Sequence, residues 1–320
     1  MSEPVRILIV RLSAMGDVIN TLPAAASLKA GIENSCVSWV VEPRWAPLLE
    51  GNPYLDEVIP FDRRTFQGLR STWQRLREQR FDIAVDFQGL LKSVVVASAA
   101  HPREIFGFDC DRARECAASW FYSTRVPARA RHVVDQYLDL AAAAGASRLV
   151  RTFPIPPGAP EGELPSDPFV LASPLAGWGA KQWPLEFYSE LGRRLRDECG
   201  LTLVVNAPKR IDITDAWPHV SGVPGLIDAT RRAIAVVGVD SGPLHLAAAL
   251  GKPGVAIYGP TDPARNGPYE SAMAVLRSPR AITSYKRNDS DSAMRDVKAA
   301  DVLEALQRQL TPAGIQQPLS

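Results

Sequence analysis

Short apolar runs alternate along the chain with segments in which apolar residues recur at helical spacing. In the first half, the apolar runs that indicate strands are Val5–Val10, Val37–Val41, Glu57–Pro60, Ile83–Asp86 and Glu104–Gly107. The segments that indicate helices are Val18–Ala30, Phe66–Gln79, Leu90–Ala100 and His132–Ala144. This alternation predicts a parallel sheet with helices on both faces.

The same pattern restarts after a segment rich in Pro and Gly. That segment, residues 153–168, is predicted to be a linker. Beyond it, the strand patterns are Phe169–Ala172, Leu201–Asn206, Ile234–Val239 and Gly254–Tyr258. The helix patterns are Pro184–Cys199, Pro243–Leu250 and Val297–Leu310. We therefore expect two α/β domains, residues 1–152 and 169–320, which face each other across a cleft.

Composition narrows the class of protein. A net charge of +1 gives no indication of a nucleic-acid-binding surface, so any recognition of anions must be local. The four cysteines, at positions 36, 110, 116 and 199, have no CxxC spacing. We expect neither a zinc site nor a disulfide framework, interpret the nearness of Cys110 and Cys116 as chance, and expect a reducing cytosol.

Membrane and cofactor motifs also restrict the function. The apolar run at the N-terminus is too short for a signal peptide, and no uninterrupted apolar stretch reaches the ~20 residues of a membrane span. A cytoplasmic protein is expected, with contact at a membrane surface left open. The chain lacks the G-x-G-x-x-G, G-x-x-x-x-G-K-[ST] and G-x-S-x-G motifs, which opposes a dinucleotide oxidoreductase, a P-loop NTPase and an α/β-hydrolase.

Asp17 is the first candidate for chemistry. It closes the turn that follows the first strand, and the next helix begins beside it. Ligands bind at this edge of open α/β sheets, and a helix N-terminus favours a carboxylate. Asp17 is therefore either a helix cap or a reactive carboxylate, and the local sequence leaves both open.

The second domain offers two loops for an anion. Asp240, Ser241 and Gly242 follow a strand and begin a helix, where backbone N–H groups suit a phosphate, and His245 lies one turn later on the same face. The other loop, Ala176–Pro184, contains two glycines, then Lys181 as a point charge for phosphate. Trp178 or Trp183 could stack on a base, although a core position is expected for Trp183.

Basic residues of the first domain follow predicted strands or stand at helix starts. Together, they predict an anion-binding wall for an acceptor that carries phosphate or carboxylate, with a solvated surface as the alternative for each one alone. These residues are Arg63, Arg64, Lys92, Arg112 and Arg114.

Five motifs together resemble the ADP-heptose heptosyltransferases of glycosyltransferase family nine. They are Ser13–Asp17, Gln88–Ser93, Trp178–Pro184, Asp240–His245 and Tyr258–Pro263. The resemblance runs from Val5 to about Leu310, and it is greatest to members that add the first heptose to Kdo of the lipopolysaccharide inner core. It implies a GT-B fold of two Rossmann-like domains, with the last helix packed back on the first domain.

The resemblance also implies roles for residues. Transfer would invert the anomeric centre without a metal or cofactor, and Asp17 would be the general base. The donor ADP-heptose would contact Trp178, Lys181, Asp240, Ser241, Gly242 and His245. The acceptor, Kdo-lipid A, would contact Gly16, Arg63, Arg64, Lys92 and Arg114.

The resemblance leaves two alternatives for the function and predicts one shortened region in the second domain. The acceptor could be that of heptosyltransferase II or of another member, or the chain could bind nucleotide without transfer activity. The region from Asn206 to Asp240 is shorter than the family implies, so helices after Pro208 and before Ile234 are expected to be truncated.

Overall fold

A computed structural model describes residues 3–284 and 292–310 of the chain. The chain divides into two units, Met1–Pro156 and Pro157–Ser320. This division falls inside the segment predicted as a linker. Within the described residues, none of the helices is both long and apolar enough to cross a membrane.

The first unit is built on a six-stranded parallel sheet in the order β3-β2-β1-β4-β5-β6. Its strands are β1 (Val5–Val10), β2 (Ser35–Val41), β3 (Glu57–Pro60), β4 (Ile83–Asp86), β5 (Glu104–Phe108) and β6 (Thr124–Val126). Its α-helices are α1 (Met15–Gly31), α2 (Phe66–Glu78), α3 (Leu91–Ala99) and α4 (Val133–Ala143), and 3₁₀ helices span Pro43–Leu48 and Cys116–Phe121.

The central strand explains why the N-terminal run is apolar on both faces. Ile7, Leu8, Ile9 and Val10 of β1 have no exposed surface, because helices cover the sheet on each side. Since β1 lies between β2 and β4, the turn that follows it opens at the middle of the carboxyl edge of the sheet. The strand thereby fixes where Asp17 lies.

The second unit repeats the plan with the sheet order β12-β11-β10-β7-β8-β9, again parallel throughout. Its strands are β7 (Phe169–Ser173), β8 (Thr202–Ala207), β9 (Trp217–Val220), β10 (Ala235–Val239), β11 (Gly254–Tyr258) and β12 (Ala274–Arg277). Its helices are α5 (Leu185–Cys199), α6 (Val223–Arg232), α7 (Gly242–Ala249), α8 (Pro263–Asn266), α9 (Ser292–Asp296), α10 (Ala299–Leu310) and a 3₁₀ turn at Gly179–Lys181.

The region between Asn206 and Asp240 contains one crossover without a helix and one helix, α6. Residues 208–216, all of which the structure describes, join the parallel strands β8 and β9 without a helix, although such crossovers usually contain one. The helix before Ile234 is present as α6. That this helix is shorter than in the family stays a prediction.

The helix-free crossover packs closely against α5. Ile213 of the crossover is buried in the core. Asp215 forms an ion pair with Arg196 of α5, with 2.6 Å between Oδ1 and Nη1. A Cβ atom at Gly192 would lie 2.2 Å from the carbonyl oxygen of Asp215. Glycine at position 192 therefore allows the short crossover to lie directly on the helix.

The last described helix, α10, buries its apolar face in the core of the second unit. Val302, Leu303 and Leu306 belong to that core, and the helix packs on α5 and β11. The packing of the C-terminal helix on the first domain stays a prediction.

The Pro- and Gly-rich segment is held against the second unit over part of its length. The carbonyl of Glu161 lies 2.6 Å from Nε2 of His219, and Trp217 donates its indole N–H to the carbonyl of Glu163 at 3.0 Å. The Glu161 carboxylate also accepts from the N–H of Gly222 at 2.6 Å. The segment therefore runs along the edge strand β9 and reaches the start of α6.

The interpretation of Cys110 and Cys116 as a chance pair is wrong. Cys110 and Cys116 are bonded, because the turn after β5 folds back on itself and brings their Cα atoms within 4.3 Å. Cys36 and Cys199 are free thiols. The cysteine pattern therefore no longer supports the inference of a reducing cytosol.

Candidate functional site

Asp17 lies in the first turn of α1, directly beyond the central strand of the first unit. Its carboxylate accepts a hydrogen bond from the N–H of Ala14 at 3.3 Å, so it does help to cap the helix. Its side chain remains 22% exposed. A carboxylate with this exposure can still reach a bound ligand, so capping and a reactive role are compatible.

Two arginines hold the Asp17 carboxylate from either side. Arg11 Nη2 lies 2.7 Å from Oδ1, and Arg114 Nη2 donates to Oδ2 at 2.8 Å. The charge of Asp17 raises the pKa of the Arg114 guanidinium above its ordinary value, although burial opposes this shift. Both arginines therefore favour an ionised, oriented carboxylate.

Arg11 is the residue of the candidate site that the sequence reasoning missed. Its side chain is buried, where it donates to the carbonyl of Phe87 and to the hydroxyl of Tyr137 at 2.8 Å. Tyr137 also packs under the guanidinium, with its ring centroid 5.3 Å from Cζ. The signal was available, because a charge that ends a buried strand must find a partner inside the fold.

Arg114 was predicted to contact the acceptor, and in the structure its guanidinium donates a hydrogen bond to the Asp17 carboxylate. It reaches Asp17 from the turn between Cys110 and Cys116. The next residue, Glu115, accepts from the N–H of Leu91 at 2.7 Å, which joins this turn to the start of α3.

Lys92 lies close enough to Arg63 and Arg114 for their charges to affect its pKa. Burial lowers the pKa of Lys92, and the charges of Arg63 and Arg114 act in the same direction. Arg63 also lies 3.7 Å from the Glu42 carboxylate. The structure therefore brings Arg63, Lys92 and Arg114 into one basic cluster, whereas Arg64 is simply exposed.

A buried carboxylate organises the Gln88–Ser93 motif. Asp86 accepts hydrogen bonds from the hydroxyls of Ser93 and Tyr122, each at 2.7 Å, and from the N–H of Gln88 at 2.9 Å. Burial nevertheless raises the pKa of Asp86. The Gln88 side chain accepts from the N–H of Leu12, which ties the motif to the turn after β1. Gly16, the remaining predicted acceptor contact, is buried in the first turn of α1.

In the second unit, Lys181 and Asp240 form a buried ion pair. Lys181 Nζ lies 2.6 Å from Asp240 Oδ2, and it also lies 4.4 Å from the ring centroid of Trp178. His245 Nε2 lies 3.6 Å from the other carboxylate oxygen. Lys181, Trp178, Asp240 and His245, which the sequence predicted separately, thus form one cluster.

The partners of Asp240 outweigh its burial. Desolvation by itself would raise its pKa, but the interactions with His245 and with the charge of Lys181 hold the pKa well below the ordinary value. Asp240 also adds to the effect of burial in raising the pKa of Tyr258. The cluster therefore contains an ionised Asp240 carboxylate beside the Lys181 ammonium group.

Ser241 and Gly242 begin α7 as predicted. Ser241 is the residue before the helix, and its side chain makes no capping hydrogen bond. The Ser241 hydroxyl oxygen is buried and has no hydrogen-bond partner among the described residues. An unpartnered hydroxyl beside the first N–H groups of a helix is suited to donate to an anionic oxygen.

The glycine loop before α5 has the free space that was expected of it. Cβ atoms added at Gly177 or Gly179 would meet no atom within 4 Å, so a ligand can approach the backbone there. Trp178 between them is half-buried. Trp183 is buried in the core and donates to the carbonyl of Val297 at 2.9 Å, which confirms the prediction of a core position.

Comparison with known proteins agrees with the motifs. The profile of glycosyltransferase family 9 (heptosyltransferase) matches residues 69–215 and 220–294. Lipopolysaccharide heptosyltransferase 1 of Pseudomonas aeruginosa is 30% identical, over 92% of this chain and 91% of that protein. Lipopolysaccharide heptosyltransferase 1 of Escherichia coli K12 is also 30% identical, over 86% of this chain and 94% of that protein.

The structure of E. coli heptosyltransferase WaaC with ADP superposes with a TM-score of 0.76. It covers 95% of this chain and 99% of that one, at 25% identity. This match confirms the GT-B fold that the resemblance implies. The protein is a glycosyltransferase, and the chain belongs to glycosyltransferase family 9.

Proposed function

We propose that the protein transfers heptose from ADP-heptose to Kdo of lipid A, in the assembly of the lipopolysaccharide inner core. The observation that carries this proposal is the Asp17 carboxylate, which is partly exposed and held by two arginines at the edge of the first sheet. Two relatives that are 30% identical, both named lipopolysaccharide heptosyltransferase 1, support this reaction.

In the proposed reaction, Asp17 is the general base. It takes the proton of the acceptor hydroxyl as that oxygen attacks the anomeric carbon of the heptose. The new glycosidic bond forms while the bond to the β-phosphate breaks, so ADP leaves with the bonding electrons and the configuration inverts. A base of this kind contributes about 10²–10⁴ in rate.

The second unit is proposed to bind the donor. The leaving diphosphate gains negative charge in the transition state, and fixed donors aimed at it lower the barrier. Lys181, His245 and the start of α7 at Ser241–Gly242 supply those donors, and no metal is required. Trp178 is proposed to contact the nucleotide.

The first unit is proposed to bind the acceptor through its basic cluster. Arg63, Lys92 and Arg114 would face the carboxylate of Kdo or the phosphates of lipid A, with Arg64 and Gly16 as further contacts. Arg114 would then touch both the acceptor and the base. Because the acceptor carries lipid, the reaction would take place at the inner face of the cytoplasmic membrane with peripheral contact.

The direct experiment measures release of ADP from ADP-heptose in the presence of Kdo-lipid A. Release that requires both substrates supports the proposal, and a heptosyl-Kdo product in the mass spectrum completes it. An acceptor that already carries one heptose is the matched alternative substrate. A preference for that acceptor would favour heptosyltransferase II activity instead.

Binding without turnover would support a nucleotide-binding protein. Isothermal titration with ADP-heptose gives this readout without an acceptor. If the donor binds and neither acceptor releases ADP, the proposed transfer is contradicted.

A further inference from the structure

The first unit exposes a patch of large apolar side chains on α3 and on the 3₁₀ helix Cys116–Phe121. Leu91 and Val95 belong to α3, whereas Trp120 and Phe121 end the 3₁₀ helix. All four side chains are more than 40% exposed. Leu91, Val95 and Phe121 also line one groove, and neighbouring exposed apolar side chains of this kind mark a candidate interaction site.

The patch opens into a groove of about 340 Å³ that α2 completes from the other side. The apolar walls are formed by Trp73, Leu91, Val94, Val95, Ala99 and Phe121. A volume of this size is typical of pockets for small ligands, and walls of this composition suit an apolar one. Arg77, Ser98 and His101 are the charged and polar residues of its lining.

Apolar residues that line the groove follow one another along α3. Leu91, Val95 and Ala99 succeed one another at four-residue spacing, so they form a stripe on one face of the helix. At the helical rise, this stripe extends over about 12 Å. A linear apolar chain matches that shape better than a compact ring.

One end of the groove lies beside the residues proposed to bind the acceptor. The N–H of Leu91 donates to Glu115, and the neighbouring Arg114 donates to Asp17. Lys92 of the basic cluster is the next residue of α3. An anionic head group at the basic cluster would therefore direct an attached apolar chain towards the groove.

We infer that this groove binds a fatty acyl chain of the lipid-linked acceptor while the basic cluster holds its anionic sugar. The inference rests on the proposed function and adds a second recognition element to it. The occupant is a chain of the acceptor itself, because Leu91 lines the groove and the next residue of α3, Lys92, belongs to the basic cluster.

The test compares two acceptors, acylated Kdo-lipid A in detergent and its fully deacylated counterpart. The variants are Val95→Glu and Phe121→Ser, both at exposed positions. Val275→Glu on β12 is the matched control, since Val275 is 44% exposed and Val95 is 53% exposed. Thermal unfolding of every variant verifies that the fold is retained.

Both groove variants should raise KM for the acylated acceptor about tenfold or more and leave KM for the deacylated acceptor unchanged. The Val275 variant should change neither. An equal change for both acceptors, or no change for either, would overturn the inference. Failure of the unmodified protein to use either acceptor would instead contradict the proposed function.

A membrane surface or a second copy of the chain could occupy the groove instead, and each would give a different experimental result. If Val95→Glu weakens binding to phosphatidylglycerol vesicles that lack acceptor, the groove is a general membrane contact and the inference is wrong. If sedimentation shows a dimer that Val95→Glu dissociates, the groove is an interface between copies, and the inference is likewise overturned.

Discussion

Arg114 donates to the carboxylate of Asp17 at 2.8 Å, although the two residues are 97 positions apart in the sequence. With Arg11 on the other oxygen, two cations hold the carboxylate in one orientation and favour its ionised form. A general base needs both properties, because it must be ionised and aimed before the acceptor arrives.

Replacement of Asp17 by Asn should greatly slow turnover without loss of donor binding. The amide keeps the shape of the side chain but cannot accept the proton, so kcat should fall by about 10²–10⁴. ADP release measures kcat, and titration with ADP-heptose measures donor affinity. Asp135→Asn, another first-turn aspartate, is the control. Turnover near that of the unmodified protein would refute the assignment of the base.

Replacement of Arg114 by Gln should move the acidic limb of the pH–rate profile to higher pH. The ionised form of Asp17 loses a cation at 2.8 Å, so a higher pH is needed to keep the carboxylate charged. The profile of kcat/KM reports this limb for the free enzyme. Arg112→Gln, in the same exposed turn, should leave the profile in place. An unshifted limb in Arg114→Gln would mean that the pair does not act on the base.

Replacement of Lys181 by Met should destabilise the protein and weaken donor binding. Asp240 would remain buried without its cation, which costs about 3–5 kcal/mol at neutral pH. Urea unfolding measures this loss, and titration with ADP-heptose measures the affinity. Lys209→Met, at an exposed position in the same unit, provides the control.

The stability effect of Lys181 should depend on pH with a defined sign. The folded pKa of Asp240 lies below its unfolded value of about 3.9, so the stability from the pair is complete above that value. It is lost as the pH falls from there through the folded pKa. The difference between Lys181→Met and the unmodified protein should therefore be smaller at pH 3 than at pH 7. An equal difference at both values would contradict the pairing.

Two glycines of the second unit should respond in opposite ways to replacement by Ala. At Gly179 the added methyl group meets no atom, so stability should be kept while affinity for ADP-heptose falls. At Gly192 it would lie 2.2 Å from the Asp215 carbonyl. The clash should exceed the helix propensity of about 1 kcal/mol that Ala adds, with a net loss of about 1–3 kcal/mol.

Unfolding in urea and donor titration together separate these two effects. If Gly179→Ala binds donor as the unmodified protein does, the loop does not approach a ligand closely. If Gly192→Ala is as stable as the unmodified protein, the short crossover is not packed on α5.

Strong apolar patterns were sufficient to predict the central parts of both sheets. Val5–Val10 and Gly254–Tyr258 are bounded in the structure as the sequence predicts, because buried parallel strands are apolar on both faces. The edge strand β9 was missed, because Trp217–Val220 contains a proline and a histidine. Proline is tolerated there only because the strand is at the edge of the sheet.

The sequence was sufficient to predict where the candidate site residues lie, but not which of them pair with one another. Asp17, Lys181, Asp240 and His245 each follow a strand, and this position was visible in the sequence. That Arg114 would return to Asp17 was not visible, since only the folded turn between Cys110 and Cys116 brings it there.

The segment along β9 has a consequence for how the second unit can be isolated. Glu161 and Glu163 cover one side of an edge strand, and bare edges template pairing with other chains. A fragment that begins at residue 169 would expose this edge and should aggregate on concentration. A fragment that begins at residue 157 would keep the residues that cover β9. The segment should therefore be included in any fragment made to isolate the second unit.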